Sequence, residues 1–193
     1  MMKRKFLPIA VFSSLVFSGA ALAELANNDA SNATLNFSGK VTSSLCQINT
    51  DDVAKEIELG ELSLAALKAS GKGPAKSFSV GLINCDTTLN SISYTIAGQN
   101  NTGNNVDYLI PVSNDESAQG VGVFIQKNDG TKVTIGKQES INVVKDNDKA
   151  LSAQSIPLQA YIGTQSGSAD EDGSNVTAGT VNATAIMTIR TAA

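Results

Sequence analysis

The chain of 193 residues carries 14 Lys and Arg against 18 Asp and Glu, two cysteines, and neither histidine nor tryptophan. Without histidine it can build no Ser-His-Asp or Cys-His constellation and no imidazole metal site. The net charge of −4 argues against nucleic acid and anionic membrane surfaces as partners.

The first 23 residues read as a secretory signal peptide. Lys3, Arg4 and Lys5 supply the positive start, residues 6–22 the apolar stretch, and Ala21-Leu22-Ala23 the cleavage site. Ser13, Ser14 and Ser18 interrupt the apolar run, and no stop-transfer flank follows, which favours cleavage over a membrane anchor. The mature chain would begin at Glu24 with 170 residues, enough for one domain, and a net charge of −7. No cysteine follows the site, so a lipid anchor is not expected. No second apolar run is long enough to span a bilayer.

Residues 24–33 (ELANNDASNA) are small and polar, and are expected to be disordered in isolation. Residues 34–46 (TLNFSGKVTSSLC) place Leu35, Phe37, Gly39 and Val41 on alternate positions, the pattern of a strand with one buried face. That strand leads to Cys46. In an exported chain the two cysteines are expected to form one structural disulfide, Cys46–Cys85. In the entropic description it would restrict the unfolded chain by about 4 kcal/mol.

Further along, Ile57-Glu58-Leu59 reads as a short strand. Residues 62–69 hold Leu62, Ala65, Ala66 and Ala69 at helical spacing before Gly71-Lys72-Gly73-Pro74 stops them. Strands are predicted at 78–83, at 92–97 with Ile92, Tyr94 and Ile96 on one face, and at 121–126. Residues 98–105 form a Gly/Asn-rich turn, and 108–112 an edge strand, because Pro111 cannot donate to a central ladder. Asn128-Asp129-Gly130 reads as a hairpin turn into 132–135. A strand at 156–162, a polar loop at 166–179 and a final alternating strand at 181–189 complete the chain. Seven to nine strands at regular spacing predict an all-β, immunoglobulin-like sandwich. With three Phe, three Tyr and no Trp after the signal, its core must rest on aliphatic side chains.

Acidic groups at Asp51-Asp52, Asp115-Glu116 and Asp170-Glu171-Asp172 could in principle serve glycoside hydrolysis or calcium. They fall in predicted loops without calcium-loop spacing, so they read as solvated charge. Three sequons, beginning at Asn32, Asn175 and Asn182, are expected by chance in so Asn- and Thr-rich a chain. Neither catalytic residues, nor a cofactor, nor a small-molecule substrate is expected.

Several blocks resemble, in order, the pilin subunits of chaperone–usher fimbriae, the type 1 pilin family. They are Phe37-Ser38-Gly39-Lys40-Val41 before Cys46, then residues 78–87 (FSVGLINCDT) around Cys85. Gly120-Val121-Gly122-Val123 ahead of Asp129-Gly130, and residues 156–161 (IPLQAY), follow. The resemblance covers the chain from about residue 34 onward. It implies an incomplete immunoglobulin-like sandwich lacking its last strand, filled first by a periplasmic chaperone and then by the N-terminal extension of the next subunit. An outer-membrane usher would complete the route to a surface fimbrium.

On that resemblance, residues 24–33 are the donor extension and 34–193 the pilin domain. Donor residues would come from Leu25, Ala26, Ala30, Ala33, Leu35 and Phe37. Val181, Ala183, Ala185, Met187 and Ile189 would line the edge of the groove. Where the family carries an aromatic next to the last residue, this chain ends Ile189-Arg190-Thr191-Ala192-Ala193. The rival readings are a secreted carbohydrate-binding adhesin or minor tip pilin, and a hydrolase working through its loop carboxylates.

Overall fold

The structure, a computed structural model, describes residues 33–39, 41, 44–101, 107–166 and 175–193. The expected signal peptide, Leu25, Ala26, Ala30, the second half of the 98–105 turn and the acidic trio at 170–172 lie outside the described residues. The chain divides into two units, residues 1–41 and 42–193.

In the first unit the expected strand is not found. Residues 33–39 and Val41 have no regular structure, and Leu35, Phe37 and Val41 are 72%, 90% and 100% exposed. The alternation is present, but nothing among the described residues buries its apolar face.

In the second unit, alternation and burial agree. Strands β1 (Gln47–Ile48), β2 (Lys76–Ile83), β3 (Ser91–Gly98), β4 (Tyr108–Leu109) and β5 (Val121–Lys127) precede β6 (Gln138–Ile141), β7 (Lys145–Asp146) and β8 (Lys149–Ala150). The long β9 (Gln154–Thr164) and β10 (Ala185–Ala192) follow. One sheet has the order β1-β2-β9-β5-β4 and the other β10-β3-β6, with β7-β8 a separate hairpin. All seven strand pairings are antiparallel. Between the sheets lies an aliphatic core that includes Leu82, Ile92, Tyr94, Ile96, Ile125, Ile156 and Leu158. Cys46 and Cys85 are bonded to each other and buried within that core.

Two element ends have a plain local cause. Helix α1 (Leu64–Ser70) stops at Gly71, which takes the left-handed conformation at φ 73° and donates its N–H to the Leu67 carbonyl at 2.8 Å. Strand β4 ends two residues before Pro111 and sits at the edge of its sheet, as proline's missing N–H requires. On the outer face of β4, β5 and β9 the rings of Tyr108, Phe124 and Tyr161 form a row, with centroids 5.3 and 5.2 Å apart. Gly163 leaves room for it: a Cβ there would lie 2.8 Å from the Phe124 ring.

Three expectations need correction. Ile57-Glu58-Leu59 has no regular structure and is in no ladder. The hairpin turn at 128–130 forms, with Gly130 N–H donating to Lys127 O. Its returning arm, however, makes one bridge, Gln126 to Lys132, and is no strand. Val133 and Ile135 of that arm are buried in the core instead. Lastly, the final ladder runs 185–192 rather than 181–189.

Candidate functional site: an open groove beside the last strand

Strand β10 pairs with β3 from Ala185↔Gly98 to Ala192↔Ser91, and has no strand on its other side among the described residues. The even-numbered residues turn their carbonyls toward the body of the domain. Thr180 O accepts from Ala118 N–H, Asn182 O from Val112 N–H, Thr184 O from Gln99 N–H and Ala192 O from Asn90 N–H. By the period-two geometry of a strand, Val181, Ala183, Ala185, Met187 and Ile189 point their backbone groups at the open edge. The same five side chains face inward, packed against the core yet only half buried. The structure thus brings all five expected groove residues onto one line.

Beside them runs a groove of about 1390 Å³. Its floor holds Phe78 and Val80 of β2, Val123 and Ile125 of β5, and Ile96 of β3. Its opposite lip is residues 56–62, where Ile57, Leu59 and Leu62 turn inward and Glu56, Glu58 and Glu61 turn outward. No backbone hydrogen bond joins this lip to other described residues, which is why its alternating sequence makes no strand. Two edges of unpaired backbone, facing each other over an apolar floor, are costly in water.

Each end of the groove is bordered by other parts of the domain. At one, α1 packs Leu67 against Val121 and Val176, with Leu62, Leu64 and Val181 around them. At the other, the Thr191 hydroxyl oxygen accepts from Leu45 N–H and lies 3.0 Å from Ser44 Oγ. The disulfide supports this second end, since Leu45 O accepts from Asp86 N–H beside Cys85.

The lip is pinned where it begins. Asp52 Oδ2 accepts from Gly81 N–H at 2.6 Å and pairs with Lys55, whose ammonium also donates to Ser79 O at 2.6 Å. The Lys55 hydrogen bond, then the Gly81 N–H, hold the Asp52 carboxyl below the usual carboxylate range against the opposing effect of burial. Within the acidic pair Asp51-Asp52, Asp52 is therefore a structural clip at this place. Among the described residues, no group of three or more Cys, Asp or Glu is arranged to hold a metal ion.

Of the expected donor residues, Ala33, Leu35 and Phe37 are described and exposed. The lip at 56–62 was missed as part of the site. Its signal was already in the sequence, as the alternation of Glu56, Ile57, Glu58 and Leu59.

The family model described as "Fimbrial protein" matches residues 35–191. The chain is 61% identical over 191 residues to fimbrial protein 987P of Escherichia coli, covering 99% of this chain and 97% of that one. It is 35% identical to a type-1 fimbrial protein subunit of Serratia marcescens, over 97% and 98% of the two chains. Among solved structures, a chaperone–usher pilus subunit superposes with a TM-score of 0.61 at 21% identity, over 82% of this chain and 94% of the other.

Proposed function

This chain belongs to the fimbrial protein family and is a structural pilin of a surface fimbria, and from that premise we propose that its subunits join by donor-strand exchange. The N-terminal segment of one subunit, including Leu35 and Phe37, enters the groove of the next and pairs with both unbonded edges. The observation that carries this reading is the match of two unmet needs. One part of the chain exposes an alternating apolar strand sequence without a sheet, while another exposes a sheet edge and apolar floor without a strand.

Moving Leu35 and Phe37 from water into the groove would contribute roughly 1.5–3 kcal/mol each. The backbone bonds along both edges would add directional affinity. Because donor and acceptor are different surfaces, each addition leaves one of each free, and the assembly grows head-to-tail without closing. Before assembly the groove needs a temporary occupant, the role we assign to a periplasmic chaperone, with an outer-membrane usher ordering the exchange. The donor extension at 24–33, with Leu25, Ala26, Ala30 and Ala33, belongs to this reading, as does the boundary of the pilin domain near residue 34. The domain works mechanically and needs no cofactor or small-molecule substrate.

Deleting residues 24–41 from the exported chain tests the proposal. Cells carrying that variant should show no fibres by electron microscopy. Fibres of the unaltered chain should run as a ladder on gels without boiling and collapse to one band after it. Normal fibres from the deleted chain would end the reading.

A further inference from the structure

The groove wall is uneven, and that unevenness specifies which donor residue sits opposite which wall residue. Along the open edge the inward side chains run Val181, Ala183, Ala185, Met187, Ile189: one of middling size, then two small residues, then two large ones. The exposed donor segment reads Ala33, Leu35, Phe37, Gly39 on its apolar face, small, large, large, none. We infer that the donor lies antiparallel to β10 with Phe37 opposite Ala183 and Leu35 opposite Ala185. This inference rests on the donor-strand reading above and fixes its register.

Three steps lead there. Parity comes first: donor residues facing inward must stand opposite wall residues facing inward, so odd numbers meet odd numbers, and a one-residue slip would turn Leu35 and Phe37 to solvent. Direction comes second. All the ladders between strands are antiparallel, a pairing somewhat more stable per residue than parallel. Ser44 and Leu45 also already occupy the Thr191 end of β10. An antiparallel donor leads back to its own domain from the Val181 end, beside α1, rather than past Ser44 and Leu45.

Size comes third. With Phe37 opposite Ala183, each large side chain meets a small one: Leu35 meets Ala185, Ala33 meets Met187, and Gly39 meets Val181. Sliding the donor two residues one way sets Leu35 against Met187 and Gly39 against Ala183, crowding one place and leaving a void at the next. Sliding it the other way sets Phe37 against Val181 and Ala33 against Ala185, with the same fault reversed. Interiors pack to near-crystalline density, and overfilled or empty places each cost stability.

The outward residues report the register without disturbing the core. In the inferred register Thr34 stands opposite Ile186, and both are exposed. Even residues of β10 bond to β3, so on the donor side this is a non-hydrogen-bonded pair, with Cα atoms about 4.5 Å apart, inside the range a disulfide spans. Thr34→Cys is combined in turn with Ile186→Cys, Thr184→Cys, Thr188→Cys and Asn182→Cys in the full exported chain, and fibres are run on boiled, non-reducing gels.

The T34C/I186C fibres should give a covalent ladder that dithiothreitol dissolves, with at least tenfold less linkage in the other three. Linkage chiefly at position 184 or 188 would shift the register by two residues, and at 182 by four. Either overturns this inference while leaving donor-strand exchange standing. Fibres that assemble and link at none of the four positions would overturn this inference; donor-strand exchange itself would fall only if fibres also form from the chain lacking residues 24–41. If a double variant makes no fibres, a peptide of residues 24–41 carrying T34C, offered to subunits lacking those residues and carrying each partner cysteine, gives the same four-way readout.

Discussion

Tyr94 is 1% exposed, and its hydroxyl is buried without a hydrogen-bond partner among the described residues. Burial first, and then the charges of Glu139 and Asp129, push its pKa from 10.0 up to about 12. An unfolded tyrosine ionises near pH 10, so between about pH 10 and 12 the unfolded chain gives up a proton that the folded one keeps. Stability from this side chain is therefore complete below pH 10 and declines as pH rises through that window, by up to about 1.4 kcal/mol per unit. Tyr94→Phe keeps the ring and discards an unpaired polar atom. Urea unfolding of the assembled protein should show it equal to the parent, or up to about 1 kcal/mol more stable, at neutral pH, with a flatter profile between pH 10 and 12. A loss of several kcal/mol at neutral pH would mean that the hydroxyl has a partner in the fibre.

At the scale of elements, the packing on the outer face of β5 and β9 makes a sharper demand. Gly163→Ala would press a methyl into the Phe124 and Tyr161 rings. Both rings are buried and Lys132 sits 5.0 Å above the Phe124 ring, so they have little room to yield. A destabilisation of about 1–3 kcal/mol is expected, read as a lowered urea midpoint with an unchanged slope. The same change at Gly39, where no atom lies within 4 Å, should leave the isolated subunit unchanged.

What the sequence disclosed about the elements follows one rule. Period-two patterning located β3 through Ile92, Tyr94 and Ile96, and β9 through Ile156, Leu158 and Ala160, because those faces are buried by their own chain. The same pattern at 34–41 and at 57–59 looked equally strand-like, yet neither is in a ladder here. Alternation tells that a face is meant to be covered, and it is silent about which molecule covers it. Strands β6, β7 and β8 escaped notice for the opposite reason. Apart from Ile141 and Ala150 they are short and polar, lying at an edge or in a separate hairpin, where little apolar surface is buried and no periodicity is required.

At the scale of the whole molecule, the five residues facing the open edge were legible as one alternating run, and so was the disulfide that supports one end of the groove. The second lip could not be recognised as a lip until the fold set residues 56–62 across from β10. Nor could the register be read before the wall's two small and two large positions were seen to face the donor's path. The central claim is that the domain formed by residues 42–193 lacks a strand which residues 24–41 of another copy supply. The most direct measurement is denaturant unfolding of residues 42–193, alone and with a saturating peptide of residues 24–41. With the peptide the midpoint should rise steeply, by at least about 5 kcal/mol in stability from the Leu35, Phe37 and neighbouring burial, and self-association should cease. A stable monomer whose unfolding is the same with and without the peptide would contradict the account.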